Sequence, residues 1–280
     1  MRNVFVSTTF IKDGKSFLEA VNKIKSLKIK NIEIGSNHIF EKEKIKLKNL
    51  NCNFIIHNYF PVPKENMILN IASCDEKIRR LSIKKIKQSI KFSKDNDAKL
   101  YTFHPGFIFD PISPSQKKKN YDFIWKDKAN SKKIAWLNMI KSIKEIVKFS
   151  KKLKFPICIE TQGSIKNKDK LLMQKPIEFK KFYKLFDPKD IGINLNLAHL
   201  NLASKAFKFD KFKFIQEIKK HVVAIEMSHN YGRIDNHLPL KKDGWYLCVV
   251  KNKDFNSIPK ILEFRNTPLS EIKKSYNLLD

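Results

Sequence analysis

Short apolar runs rich in β-branched residues alternate along this chain with stretches of helical period. Residues 4–8, 31–34, 54–57, 100–103, 157–160, 192–195, 223–227 and 261–264 read as strands. Between them, Ile78, Ile83, Ile86 and Ile90 fall on one helical face, behind an S-x-x-E capping box at Ser73 and Glu76. Leu137, Ile140 and Val147 predict one face of a second helix, and Phe214, Ile215 and Ile218 mark another. Phe179, Phe182 and Phe186 follow Pro176, a residue suited to a first helical turn. The period is poor over 243–259, where a seventh helix belongs. Strand–helix alternation predicts an α/β fold with a parallel sheet. Eight such strands suffice to close a single (β/α)8 TIM barrel, and 280 residues match the ~250 that a barrel needs. Residues 1–280 are therefore expected to form one domain.

One connection breaks the rhythm. Residues 107–131 follow the fourth strand and exceed the ~12–15 residues usual for a loop in a compact domain. On a barrel this loop sits at the catalytic face, where it is expected to be either a lid or a mobile surface insertion.

Composition adds three limits. No run approaches the ~20 apolar residues of a membrane span, and the N-terminus lacks a secretory pattern. A cytoplasmic protein without a membrane partner is expected, with homo-oligomerisation left open. Cys52, Cys74, Cys158 and Cys248 contain no CxxC pair, which argues against a zinc ribbon or a thioredoxin motif. The net charge of +29 comes from 57 basic residues of which only Arg2, Arg79, Arg80, Arg233 and Arg265 are arginine. Lysines spread along the whole chain point weakly to an anionic substrate. A dedicated nucleic-acid groove would use more of the planar Arg fork.

Barrel enzymes build their sites from the C-terminal ends of several strands. Those ends carry His57, His104, Glu160, Asn196 with His199, then His229, Asp235 and His237, and finally Glu263 with Arg265. Imidazole and carboxylate together suit a divalent metal ion. Arg265, two residues after Glu263, shares its face and is a candidate for binding a substrate phosphate or carboxylate. Arg233 is a second anion-binding candidate. His38 could line the mouth, and His221 is expected to close a helix as a cation that complements the dipole. Tyr59 and Trp245 are candidates either for stacking on a sugar or base or for rim packing.

The motifs HxY…NxAS, FHPG, IETxG, N-L-x-H and D-x-H, in that order, resemble the xylose isomerase-like TIM barrel superfamily. That superfamily holds sugar-phosphate isomerases and epimerases together with the endonuclease IV-type AP endonucleases of family 2. In the epimerase branch the resemblance implies one divalent ion (Mn, Zn, Co or Mg) on Glu160, Asn196, His229 and Glu263. Glu160 and Glu263 would double as the catalytic acid/base pair, moving a proton through a metal-stabilised enediolate. His57, His104 and His199, with Arg265 and Arg233, would bind a small anionic carbohydrate. In the endonuclease branch it implies a three-metal cluster on His57, His104, Glu160, His199, His229, Asp235, His237 and Glu263, with nucleic acid as partner. Asn196 stands where that cluster should carry an aspartate, and a neutral amide cannot bridge two metals. The sequence therefore favours an isomerase or epimerase. The alternatives are an AP endonuclease or a non-catalytic sugar-binding barrel.

Overall fold

The computed structural model describes residues 3–42, 45–65, 67–114, 123–126 and 131–279. Eight strands close a barrel: β1 (Val4–Ser7), β2 (Asn31–Ile34), β3 (Asn53–His57), β4 (Leu100–Phe103), β7 (Ile157–Glu160), β8 (Gly192–Asn196), β9 (Val222–Met227) and β10 (Lys260–Leu262). They run in that order around the barrel, β10 returns to β1, and every pairing is parallel. The expected (β/α)8 architecture is thus the observed one. The remaining strands, β5 (Pro111–Pro114) and β6 (Phe123–Trp125), form an antiparallel hairpin inside the long connection.

The strands alternate two faces, as a pleated backbone must. Val4, Val6, Ile32, Ile34, Tyr101, Phe103, Ile193 and Leu195 point outward and join the large core beneath the helices. Phe5, Ile55, Leu100, Cys158, Ala224 and Ile261 form a separate buried cluster, which plugs the lumen. Two residues further along the same six strands stand Ser7, His57, Thr102, Glu160, Glu226 and Glu263, all buried. A period of two therefore stacks a polar layer directly on an apolar plug, and that layer is the floor of the site.

The helices that cover the barrel are α1 (Phe17–Ser26), α2 (Glu76–Asp95), α3 (Lys132–Leu153), α4 (Pro176–Phe182), α5 (Leu197–Phe207), α6 (Lys211–Ile218), α7 (Tyr246–Val250) and α8 (Leu269–Asn277). Among the described residues no helix is long and apolar enough to cross a membrane. The weak period over 243–259 corresponds to a helix of only five residues followed by a 3-10 turn.

Three local expectations change. The cap of α2 is Asp75, whose carboxylate accepts from the amides of Lys77 and Ile78; Ser73 instead accepts from the amide of Asp75. Leu137 is 56% exposed on the outside of α3, because Ala135, Met139, Ile143 and Ile146 supply its inner face with Ile140 and Val147. The long connection is partly structured at its base. Phe107 packs edge-on against Phe123 and Trp125, and the Lys170 ammonium lies 5.1 Å from the Trp125 ring. Residues 115–122 and 127–130, on which the lid expectation also falls, lie outside the described residues.

Candidate active site

Buried polar side chains from seven of the eight barrel strands and the turns after them converge above the plug. Glu33 (β2), His57 (β3), Glu160 (β7), Asn194 and Asn196 (β8), Glu226 (β9) and Glu263 (after β10) are buried, and His104 follows β4 directly. His104 is positioned by backbone design. Gly106 has φ +95°, and a Cβ there would meet Asn70 Oδ1 at 2.8 Å and Ala72 N at 2.9 Å. Asn70, the first residue of the NxAS motif, accepts from the amides of Ala72 and Phe107 and donates to Asp110. That motif is therefore a clamp for the FHPG turn.

Glu160 is the hub. Its Oε2 lies 3.2 Å from His104 Nε2 and 3.7 Å from His57 Nδ1, and its Oε1 lies 3.0 Å from His199 Nδ1. Burial alone would raise this carboxyl, but the charge and hydrogen bonding of His104, then of His199, hold it well below the usual carboxylate range. His57 contributes little of that charge, because burial lowers its pKa to about 4 and keeps the ring neutral. Its Nδ1 lies 2.6 Å from Thr102 Oγ1, and its Nε2 accepts from Asn58 Nδ2 at 2.6 Å.

A second group lies beside the hub. Asp235 accepts from His199 Nε2 at 3.0 Å and from His237 Nε2 at 2.9 Å, and His237 Nδ1 lies 2.9 Å from Glu263 Oε2. Burial opposes the charge on every member, yet the pairing prevails. Asp235 is held far below its ordinary value by His237 and His199, and His237 is pushed up to about 9 by Asp235 and Glu263. Glu263 is likewise held low, by His237 and then Arg265. Arg265 Nη2 lies 3.6 Å from Glu263 Oε1 and Nη1 lies 3.8 Å from Asp13 Oδ1.

Asn196 takes a different job from the one expected. Its Nδ2 donates to Glu160 Oε1 at 3.0 Å and to Glu226 Oε1 at 3.1 Å, while its Oδ1 caps α5 through the amide of His199. Both ends of the amide are engaged, so Asn196 acts as a neutral spacer between two carboxyl groups. His229 also departs from the metal-ligand expectation. It stands apart from the cluster, against Tyr231 and Tyr246, with Nδ1 3.4 Å from Tyr246 Oη. The strand position facing the lumen is three residues earlier, at Glu226. Arg233 is exposed on the loop after β9. Trp245 packs on Phe212 and Lys211 of α6, on the barrel's outer side.

The other two histidines are structural. His38 hydrogen-bonds Thr8 and the Lys15 carbonyl and is neutral, its pKa lowered to about 4 by burial. His221 stacks on Tyr183 with ring centroids 3.9 Å apart, and burial and Lys220 lower its pKa, so the expected cation at a helix end is absent.

Glu33 and Glu226 were not among the residues singled out in the sequence. Each carries a signal: a carboxylate inside a strand whose neighbours are Ile or Met. Burial and neighbouring carboxylates push both well above the usual range. Glu226 accepts from Asn194 at 2.6 Å and shares a hydrogen bond with Glu263.

These donors fit a divalent cation. Ligand atoms of His57, His104 and Glu160 lie within 4.8 Å of one another. Two of the buried glutamates, Glu160 and Glu263, are held ionised, a negative charge that a cation would offset. Solvent reaches the rim at His104, Asp235 and Arg265, whose side chains are 25%, 24% and 19% exposed.

A family model described as xylose isomerase-like TIM barrel matches residues 21–279. A curated relative, uncharacterized protein MJ1311 of Methanocaldococcus jannaschii, is 23% identical over 212 residues; the match covers 75% of this chain and spans 65% of that protein. Among solved structures, a D-tagatose 3-epimerase-like protein superposes with a TM-score of 0.74 at 19% identity, covering 100% of this chain and 96% of that one. An AP endonuclease of family 2 from Brucella melitensis superposes with a TM-score of 0.64 at 11% identity, covering 99% and 98%. At these identities the superpositions speak to the fold.

Proposed function

The chain belongs to the xylose isomerase-like TIM barrel family, and from that premise we propose that it is a metal-dependent isomerase or epimerase of a small, anionic sugar. The observation that carries the reading is the disposition of Glu160 and Glu263. They come from opposite ends of the run β7–β8–β9–β10, and each is kept ionised by its own cationic partners. Two fixed carboxylates approaching from different strands suit removal of a proton from one face of a carbon and return from another. The commitment of both ends of Asn196 favours this reading over a three-metal hydrolytic centre.

Substrate would enter past His104, Asp235 and Arg265. Arg265 provides a fork for an anionic group. His104, paired with Glu160 through Nε2, would orient a substrate hydroxyl through its other nitrogen. His57, His104 and Glu160 would hold the cation, which when bound supplies Lewis acidity next to a substrate carbonyl. One of Glu160 and Glu263 takes the proton from the adjacent carbon, and the other relays a proton to the opposite face from its protonated histidine partner, His199 for Glu160 or His237 for Glu263, which solvent then recharges. The apolar plug below excludes water from the floor. The hairpin β5–β6 borders this rim, and a lid role for 107–131 is part of the proposal.

The test is solvent-deuterium incorporation. The manganese-loaded protein, offered a panel of ketoses and ketose phosphates in heavy water, should exchange a carbon-bound proton detectable by NMR. Glu263→Gln should lower that exchange by at least ~100-fold. No exchange with any member, together with cleavage of a duplex carrying an abasic site, would overturn the proposal.

A further inference from the structure

Sharing His57 with the His57, His104 and Glu160 group is a second constellation. Ligand atoms of Glu33, His57 and Glu226 fall within 4.8 Å of one another, and all three residues are buried. Glu33 and Glu226 come from strands that are not neighbours: β1 and β10 separate β2 from β9. The side chains therefore meet across the lumen, at a level where a barrel is ordinarily packed with branched apolar residues. Two carboxyl groups facing each other there can both be ionised only if something positive lies between them.

Among the described residues no cationic side chain is paired directly with Glu33 or Glu226. Glu226 is held by two amides, from Asn194 and Asn196, which fix its position without carrying charge. Glu33 is 1% exposed, and its Oε2 makes no hydrogen bond among the described residues. Ser7 supplies the hydrogen bond that Glu33 does have. His57 supplies an imidazole whose ligand atom lies within 4.8 Å of those of both glutamates. The charge of Arg265 acts on Glu33, while its guanidinium pairs with Glu263 and Asp13.

We propose that Glu33, His57 and Glu226 form an inner divalent-cation site, distinct from the outer group that contains His104 and Glu160. Two hard carboxylate oxygens and one imidazole match Mn²⁺ or Fe²⁺ better than a thiolate-preferring ion. The amides of Asn194 and Asn196 orient the Glu226 ligand from behind, as the outer shell of a metal site does. The inner ion neutralises the floor on which the outer group stands. This site does not depend on which reaction the outer group performs.

Manganese alone is the probe, added to the metal-free full chain and followed by EPR of free Mn²⁺. His104→Ala removes a ligand of the outer group only, so this variant should still bind one Mn²⁺ per chain. Adding Glu33→Gln or Glu226→Gln to it should weaken that binding by at least ~100-fold. Circular dichroism melts confirm folding of each variant, and either glutamine change suffices if the other fails to fold. The proposal is overturned if folded His104→Ala binds no Mn²⁺, or if the double variants bind as tightly as His104→Ala. Retained inner binding without deuterium exchange would remove the sugar reading and leave this site standing.

Discussion

Asn196→Asp restores the carboxylate that the related trinuclear site would carry, and the structure fixes what that does to the metal-free protein. The Nδ2 of Asn196 lies 3.0 Å from Glu160 Oε1 and 3.1 Å from Glu226 Oε1. A carboxylate oxygen in its place faces an ionised Glu160 at that distance. At an effective dielectric of about 20, two unit charges ~3 Å apart repel by roughly 5 kcal/mol. The new carboxyl escapes by taking up a proton, and that limits the penalty. Keeping an aspartate with an unfolded pKa near 3.9 protonated at pH 7 costs at most about 4 kcal/mol, and at pH 5 about 1.5 kcal/mol. The sign follows: the folded pKa is raised, so the penalty is absent well below about pH 4 and grows as pH rises. Urea unfolding of both proteins in EDTA should show a loss of about 3–4 kcal/mol at pH 7 and less than half of it at pH 5. Mn²⁺ should recover most of the loss, because a cation replaces the proton. An Asn196→Asp protein as stable as the parent in EDTA at pH 7, or a penalty indifferent to pH, would refute the assignment of Asn196 as a neutral spacer.

Further outcomes follow from other contacts. His237 is raised to about 9, so its contribution is complete below its unfolded pKa near 6.5 and is lost as pH rises through 9; the urea midpoint in EDTA should fall across that interval. Asp235 and Glu160 are held low, so their contribution is present above about pH 4.5 and is lost on acidification, which a pH titration of near-UV circular dichroism will show. A Cβ at Gly163 would sit 1.9 Å from the His199 carbonyl oxygen, so Gly163→Ala should lower stability by at least ~2 kcal/mol in denaturant melts and displace the turn that carries Asn196 and His199. His229→Ala should change Mn²⁺ affinity by less than ~3-fold, because His229 packs against Tyr231 and Tyr246 and belongs to neither ligand group.

The barrel was legible because its signal is local. Each strand is a short apolar run between helical stretches, and observed bounds differ from the expected ones by no more than two residues, as at 260–262 against 261–264. Strand ends could be read too, since side-chain direction alternates with every residue: the i+2 rule that places Phe5 and Ile55 in the plug also places Ser7 and His57 above it. Glu160, Glu263, His57, His104, His199, Asp235 and His237 were accessible by that route.

What the sequence could not decide is which side chains meet across the lumen. Glu33 and Glu226 are 193 positions apart in the chain, and only closure of the sheet brings β2 and β9 face to face with His57 between them. The same closure turns Asn196 from an apparent ligand into a brace between Glu160 and Glu226. It leaves His229 outside, because a strand side chain three positions from one that faces the lumen does not share its face. Sequence by itself determined the fold and the strand-end inventory, through periods of two and 3.6 set by backbone geometry. Tertiary structure alone decided the partners, because the protonation and ligand role of each carboxyl depend on the charges within a few ångströms of it.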